Sequence, residues 1–380
     1  MKPLLFIVSL GLFTISTMFI SACEKIKFEE ILTPQDGVCS QYNKGSVAKI
    51  SPFKDRIKNE TPTWQDEFAD DYKNHLPQGT DASCYTRQPT CLRRLDWNSP
   101  DTCLEANYPS LAKLNKCVWN VMDGYNFWDD RSTSAYNPNQ VSVSDGNLHL
   151  KIKKNTNLSL KCGVNPNGDP NGGNYWDLNC PLLIGGLNST KFSTWNANTP
   201  GFNVGSGRID FHAKIDRVGP TWPALWMWEQ NNREHLTEID VMEVNPNHGV
   251  EGLSPFQTLH SYLHLNMLPM QEGAHTSGSS GVGAIDADIY HTYGVERYSA
   301  NEWNGIEYAK KAMIRFSIDG CYTRVIENGD PDSRLEGNTL WIDSAPMFLI
   351  IGQGVTGDAV MHANELDGVE MAVDWVRVYE

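Results

Sequence analysis

Three carboxylates fall within six positions in Thr237-Glu238-Ile239-Asp240-Val241-Met242-Glu243-Val244. The residues between them are apolar, so the segment reads as a strand. Side chains in a strand alternate, which puts Glu238 and Asp240 on one face and Ile239 and Val241 on the other. Strict alternation sends Glu243 across the sheet. One extra residue in a β-bulge returns it to the Glu238 face. Three stacked carboxylates repel one another, and at least one pKa must rise. A solvated strand face is one reading of this pattern. The other is chemical: an ionised carboxylate and a protonated carboxyl flanking one bond, the arrangement that cleaves a glycosidic bond.

Just upstream, Gly219-Pro-Thr-Trp222-Pro-Ala-Leu-Trp226-Met-Trp228 sets three tryptophans at i, i+4 and i+6. In a strand all three share a face. Such a face is either core or a platform for sugar rings, since an indole offers a broad apolar surface with an N–H at its rim.

The surrounding elements that must position these residues are β-strands. Val141-Ser-Val-Ser-Asp-Gly146-Asn-Leu-His-Leu-Lys-Ile-Lys alternates around an Asp-Gly turn, a β-hairpin signal. Gly207–Asp216, Ala312–Asp319 and Val373–Tyr379 alternate in the same way. Clusters of Gly, Asn, Pro and Ser separate them, so the fold is expected to be an antiparallel sandwich or barrel. Helix is confined to a short candidate at Glu105–Val118. Residues 163–175, rich in Asn, Gly and Pro, read as a long loop. The sequence carries no internal repeat, P-loop or Rossmann glycine pattern, so nucleotide cofactors have no support.

The chain has 380 residues, of which 40% are hydrophobic and 10% aromatic, enough for a large core. Its net charge is −15. That repels polyphosphate and anionic membrane at long range, and so disfavours nucleic acid and, more mildly, a sulfated glycan. Lys2, the apolar run Leu4–Ile20 and Ser21-Ala22-Cys23 describe an export signal at residues 1–22. The run is shorter than the ~20 residues of a membrane span. The small residues before Cys23 resemble a bacterial lipoprotein signal, with Cys23 as the lipid-bearing residue and the outer membrane as destination. Residues 23–60 then form a polar tether. Eight further cysteines (Cys39, Cys84, Cys91, Cys103, Cys117, Cys162, Cys180 and Cys321) suggest disulfides in an exported chain. Cys84–Cys91, Cys103–Cys117 and Cys162–Cys180 are the shortest pairings. Four of the eight lie in residues 81–135, which read as a stapled insertion. Zinc spacing is lacking.

Taken together, these segments resemble the bacterial laminarinase-like branch of glycoside hydrolase family 16. Glu238-Ile-Asp240-Val-Met-Glu243 matches its E-I-D-x-x-E, and Trp222–Met227 its W-P-A-x-W-M. Trp64-Gln-Asp-Glu67-Phe68, Gly207-Arg-Ile, Thr258-Leu-His260, His291-Thr-Tyr-Gly-Val-Glu296, Asp319-Gly320 and Val373-Asp374-Trp-Val-Arg-Val-Tyr379 follow in the family's order, covering about residues 61–380. Thr237 and Leu349-Ile-Ile-Gly352-Gln353-Gly354 depart from the common pattern, as does the Cys-rich insertion. The resemblance implies a β-jelly-roll sandwich of two antiparallel sheets with a concave cleft. It implies Glu238 as nucleophile, Glu243 as acid/base and Asp240 between them as tuner. Trp222 and Trp226 would border the −1 sugar, Trp228 would join the binding face, and His260 would sit near Glu243. No catalytic cofactor is implied. A structural Ca²⁺ would take oxygens from Asp374, Gly146 and Glu67.

The sequence is therefore read as a lipid-anchored, monomeric endo-β-1,3-glucanase acting on a polysaccharide. Agarose, carrageenan or mixed-linkage glucan hydrolysis and transglycosylation remain open, as does a non-catalytic glucan-binding module.

Overall fold

Period-two alternation produces strands throughout the described part of the chain. The computed structural model describes residues 61–69, 109–115, 118–122, 124–125, 134–157, 181–189, 204–216, 220–228, 236–244, 260–267, 275–276, 288–298, 313–327, 346–355 and 362–379. All fall within the larger of the chain's two units, Cys39–Glu380. The strands, in chain order, are β1 (Trp64–Asp66), β2 (Asn120–Val121), β3 (Gly124–Tyr125), β4 (Ser134–Tyr136), β5 (Val141–Ser144), β6 (Asn147–Lys154), β7 (Leu182–Ile184), β8 (Gly186–Asn188) and β9 (Gly207–Ile215). They continue as β10 (Thr221–Trp228), β11 (Leu236–Glu243), β12 (His260–Met267), β13 (His275–Thr276), β14 (His291–Tyr298), β15 (Met313–Ile318), β16 (Cys321–Glu327), β17 (Phe348–Val355) and β18 (Glu370–Tyr379).

These strands form two sheets, as the jelly-roll expectation requires. The larger runs β16-β15-β14-β9-β18-β6-β7-β4-β3, with β1 added to β18 and β5 to β6. The smaller runs β13-β12-β11-β10-β17-β8-β2. Neighbours pair antiparallel except β4 and β7, which are parallel. The expected Asp-Gly hairpin joins β5 to β6. Asp145 and Gly146 take φ of 52° and 73°, the left-handed pair that a two-residue turn needs to match strand twist.

The sheets pack through β11 against β14 and β17 against β6. On the larger sheet, the rung Val376–Phe211–Tyr293–Ile318 faces the core and is almost completely buried. Leu225, Met227, Ile239, Leu349 and Ile351 bury the corresponding face of the smaller sheet. The other face of the larger sheet carries a charged rung, Tyr379–Arg208–Glu296–Arg315. There Arg315 Nη2 donates to Glu296, Arg208 Nε lies 3.1 Å from Asp210, and the Arg208 guanidinium sits 3.7 Å over the Tyr379 ring. Burial lowers the Arg208 pKa, but Asp210, Tyr379 and Glu296 outweigh it and hold the guanidinium more firmly protonated.

The helix expected at Glu105–Val118 is not formed by its described residues. They hold one 3₁₀ turn, Pro109–Leu111. Pro109 lacks an N–H and fits only the first turn of a helix, so a helix begun at Glu105 cannot run through it. The signal run Leu4–Ile20, Cys23, the tether, residues 163–175 and most of the insertion at 81–135 lie outside the described residues. So do all the paired-cysteine candidates; Cys321 opens β16.

Candidate active site

β11 carries the bulge that its three acids call for. Against β10, Asp240 lies opposite Trp226 and Met242 opposite Leu225, so two steps on β11 match one on β10. Against β12 the same irregularity falls between Asp240 and Glu243. Val241 is the added residue, and its side chain is buried. The slip returns Glu243 to the face of Glu238 and Asp240. Past it, the Val244 N–H donates to the Pro223 carbonyl at 3.1 Å and ties the strand end down.

The same register sets each acid against β10. Glu238 faces Trp228, Asp240 faces Trp226 and Glu243 faces Ala224, with Trp222 one rung further. Trp222, Ala224, Trp226 and Trp228 share that face, while Pro223, Leu225 and Met227 turn into the core. Across β17 the face continues through Gly354, Gly352, Ile350 and Phe348.

The three tryptophans differ in role. Trp226 is 7% exposed and packs in an apolar cluster with Ile350, Tyr136, Ile184 and Met122. It is a floor residue rather than an open rim. Trp228 is half-buried against the same cluster. Trp222 is also half-buried, and its indole Nε1–H donates to Glu243 Oε1. The sequence marked Trp222 as a stacking ring; this hydrogen bond depends on β10–β11 register and had no sequence signal.

Electrostatics separate the acids. Asp240 is 5% exposed and lies opposite Trp226 in the β10–β11 register. Burial pushes its pKa up to about 8, because a carboxylate there would lose its water. Asp240 is therefore largely neutral at pH 7, a buried acid able to donate a proton in a hydrogen bond. Glu243 is 9% exposed, and Glu238 is half-buried. His260 pairs with Glu243 in the β11–β12 register.

The calcium candidates meet elsewhere, on β18. β9 occupies one edge of β18. Along the other edge β6 pairs with Glu370–Val373 and β1 with Val376–Val378. Asp374 and Trp375 occupy the gap, flanked by Gly146 just before β6 and Glu67 just after β1. Asp374 Oδ2 lies 2.9 Å from His212 Nδ1, and Glu67 Oε1 accepts from Arg377 Nε at 3.0 Å. Both candidate carboxylates are thus already paired, Asp374 with His212 and Glu67 with Arg377. Among the described residues, no group of three or more His, Cys, Asp or Glu is placed to hold a metal ion.

No family model matches the chain. Among curated proteins it is similar to glucan endo-1,3-beta-glucosidase A1 of Niallia circulans, at 23% identity over 290 residues. That match covers 70% of this chain and 36% of the relative. It is also similar to the endo-1,3-1,4-beta-glycanase ExsH of Rhizobium meliloti, 23% identical over 174 residues, with 46% and 30% covered. The chain thus spans about a third of the length of these relatives. Among solved structures it resembles a Bacteroides ovatus mixed-linkage-glucan enzyme of glycoside hydrolase family 16. There the identity is 19%, the TM-score is 0.44, and the match covers 69% of this chain and 94% of that one. In sequence, the chain is thus similar to two proteins named as β-glucan-cutting enzymes.

Proposed function

We propose that the chain is a retaining endo-β-glucanase that cuts β-1,3-linked glucan such as laminarin. One observation carries this reading. A bulged strand sets Glu238, Asp240 and Glu243 on one face, with the middle acid kept neutral by burial. A solvated surface strand has no use for a buried acid, and a binding module has no use for a graded set of three.

The chemistry follows from the order of the groups. Glu238 attacks the anomeric carbon as the glycosidic C–O bond breaks. Glu243 gives its proton to the departing oxygen. A water then attacks the glycosyl–Glu238 ester, its proton passing to Glu243 while Glu238 leaves as a carboxylate. Asp240, neutral beside them, avoids a second negative charge next to the Glu238 carboxylate. Retention needs the two working carboxyls about 5–5.5 Å apart. The bulge supports this, because it shortens the separation from five rungs to four, roughly 13 Å between backbones at ~3.3 Å per rung. Retention requires the two Glu side chains to close the rest by leaning together.

The Glu-x-Asp-x-x-Glu spacing and the activity for which the Niallia circulans relative is named both favour a β-1,3 linkage. The export signal read at residues 1–22 suits a polymer that does not enter cells. A calcium ion at the β18 gap would be structural, tying β1 and the β5–β6 turn to that strand.

The test is a panel of laminarin, mixed-linkage glucan, agarose and carrageenan incubated with residues 24–380, with new reducing ends as readout. Release from laminarin by wild type and not by Glu238→Gln is the expected result. Binding of laminarin without turnover would select a binding module instead.

A further inference from the structure

We infer that Trp222 is a positioning residue for the acid/base carboxyl, and that Gly354 holds Trp222 in the place this requires. The inference rests on the function proposed above and extends it to residues outside the catalytic trio.

The indole Nε1–H of Trp222 donates to Glu243 Oε1. An indole nitrogen only donates, so Oε1 must act as acceptor in that bond. The acid proton is thereby assigned to the other oxygen, Oε2. Glu243 needs that asymmetry: it must present one protonated oxygen to the leaving group, then the same oxygen as a base to water. A carboxyl free to rotate would offer either oxygen, and the productive geometry would be populated only part of the time. The bond also buries no new charge, because the donor is neutral.

Trp222 has a second constraint. It lies opposite Gly354 on β17. A Cβ at position 354 would stand 2.5 Å from the Trp222 carbonyl oxygen and 3.2 Å from its Cβ. Any side chain there would push the first residues of β10 away from β17 and swing the indole off Glu243. Gly354 thus has a physical role in seating Trp222.

The step at stake is proton donation as the glycosidic bond breaks, so the effect must depend on the leaving group. A sugar hydroxyl leaves only with a proton; a dinitrophenolate leaves without one. The quantity to measure is kcat/KM, which stops at formation of the glycosyl-enzyme and so excludes the later water step. General acid assistance contributes about 10²–10⁴-fold. Trp222→Phe keeps a ring and removes the N–H. Its kcat/KM on laminarin should fall by roughly 10- to 100-fold, a part of that assistance. The loss on a 2,4-dinitrophenyl β-glucan oligosaccharide should be at least about ten times smaller, because no proton is needed there. Gly354→Ala keeps the N–H but displaces it, and should give the same split. It decides the matter if Trp222→Phe does not fold. Equal losses on both substrates in the folded variants would overturn the inference and leave Trp222 as a sugar-stacking ring. Wild type inactive on both substrates would instead overturn the function on which it rests.

Discussion

Glu296 on the larger sheet and Asp240 on the smaller one are both buried acids on strand faces, 2% and 5% exposed. Their surroundings differ. Glu296 sits in a rung between Arg208 and Arg315 and accepts from the Arg315 guanidinium. Asp240 sits across from Trp226, and burial pushes its pKa up to about 8. Pairing of this kind recurs along the larger sheet. Asp210 lies beside Arg208, Asp374 beside His212, Glu370 beside His149 and Lys151, and Glu67 beside Arg377. Of the three acids of β11, Glu238 and Asp240 lie opposite tryptophans of β10 and Glu243 accepts from the Trp222 indole, while Glu238 and Glu243 also pair in register with His264 and His260 of β12. A cation beside an acid fixes its charge and makes it structural. An apolar or neutral-donor neighbour leaves its proton negotiable, which is the property catalysis needs.

Substitutions can break that comparison. The largest effect is expected from Glu238→Gln, which removes the nucleophile: hydrolysis should drop to background while circular dichroism and the melting curve stay near wild type. Glu296→Gln should do the reverse. It strands Arg315 and Arg208 in a buried rung, and losing one partner of such a network costs about 3–5 kcal/mol. Denaturant unfolding should show that loss, with activity per folded molecule unchanged. A Glu296 variant that kept its stability but lost activity would erase the distinction between the two sheets.

Asp240→Asn sharpens the same contrast through pH. The folded-state pKa of Asp240 lies above its ordinary value of 3.8. Its contribution is thus fully present below pH 4 and is lost as pH rises towards 8. Asparagine does not titrate. The stability of Asp240→Asn relative to wild type should therefore increase between pH 4 and 8. The gain should reach a few kcal/mol, since one pKa unit is about 1.4 kcal/mol. Parallel stability–pH curves for the two proteins would contradict a buried neutral acid. The smallest effect belongs to Asp367, which accepts from Lys153 Nζ at 3.0 Å and from the Lys154 N–H on the surface. Asp367→Asn should cost under about 1 kcal/mol in urea unfolding, because exposed pairs are screened.

Much of this was legible in the sequence for local reasons. Alternation fixed which residues of Gly207–Ile215 and Val373–Tyr379 could face a core, and Asp145-Gly146 named its own turn. The bulge was legible because only an added residue reconciles Glu243 with the face of Glu238. What was hidden depends on the register between paired strands. The opposition of Trp226 to Asp240, the Trp222–Glu243 bond and the crowding of Trp222 by residue 354 are all set by register. The parallel pairing of β4 with β7 joins segments almost fifty residues apart in the chain and leaves no local mark. The Glu105–Val118 helix failed for a local reason that was visible, namely Pro109.

The most direct test of the account is to trap the covalent step. Wild-type protein would be incubated with a 2-deoxy-2-fluoro β-glucoside carrying a dinitrophenolate leaving group, digested, and mapped by mass spectrometry. The account predicts one fluoroglycosyl adduct, an ester on the Glu238 side-chain carboxylate, and none in Glu238→Gln. An adduct on Glu243, or rapid turnover of laminarin with inverted anomeric product by NMR, would contradict it.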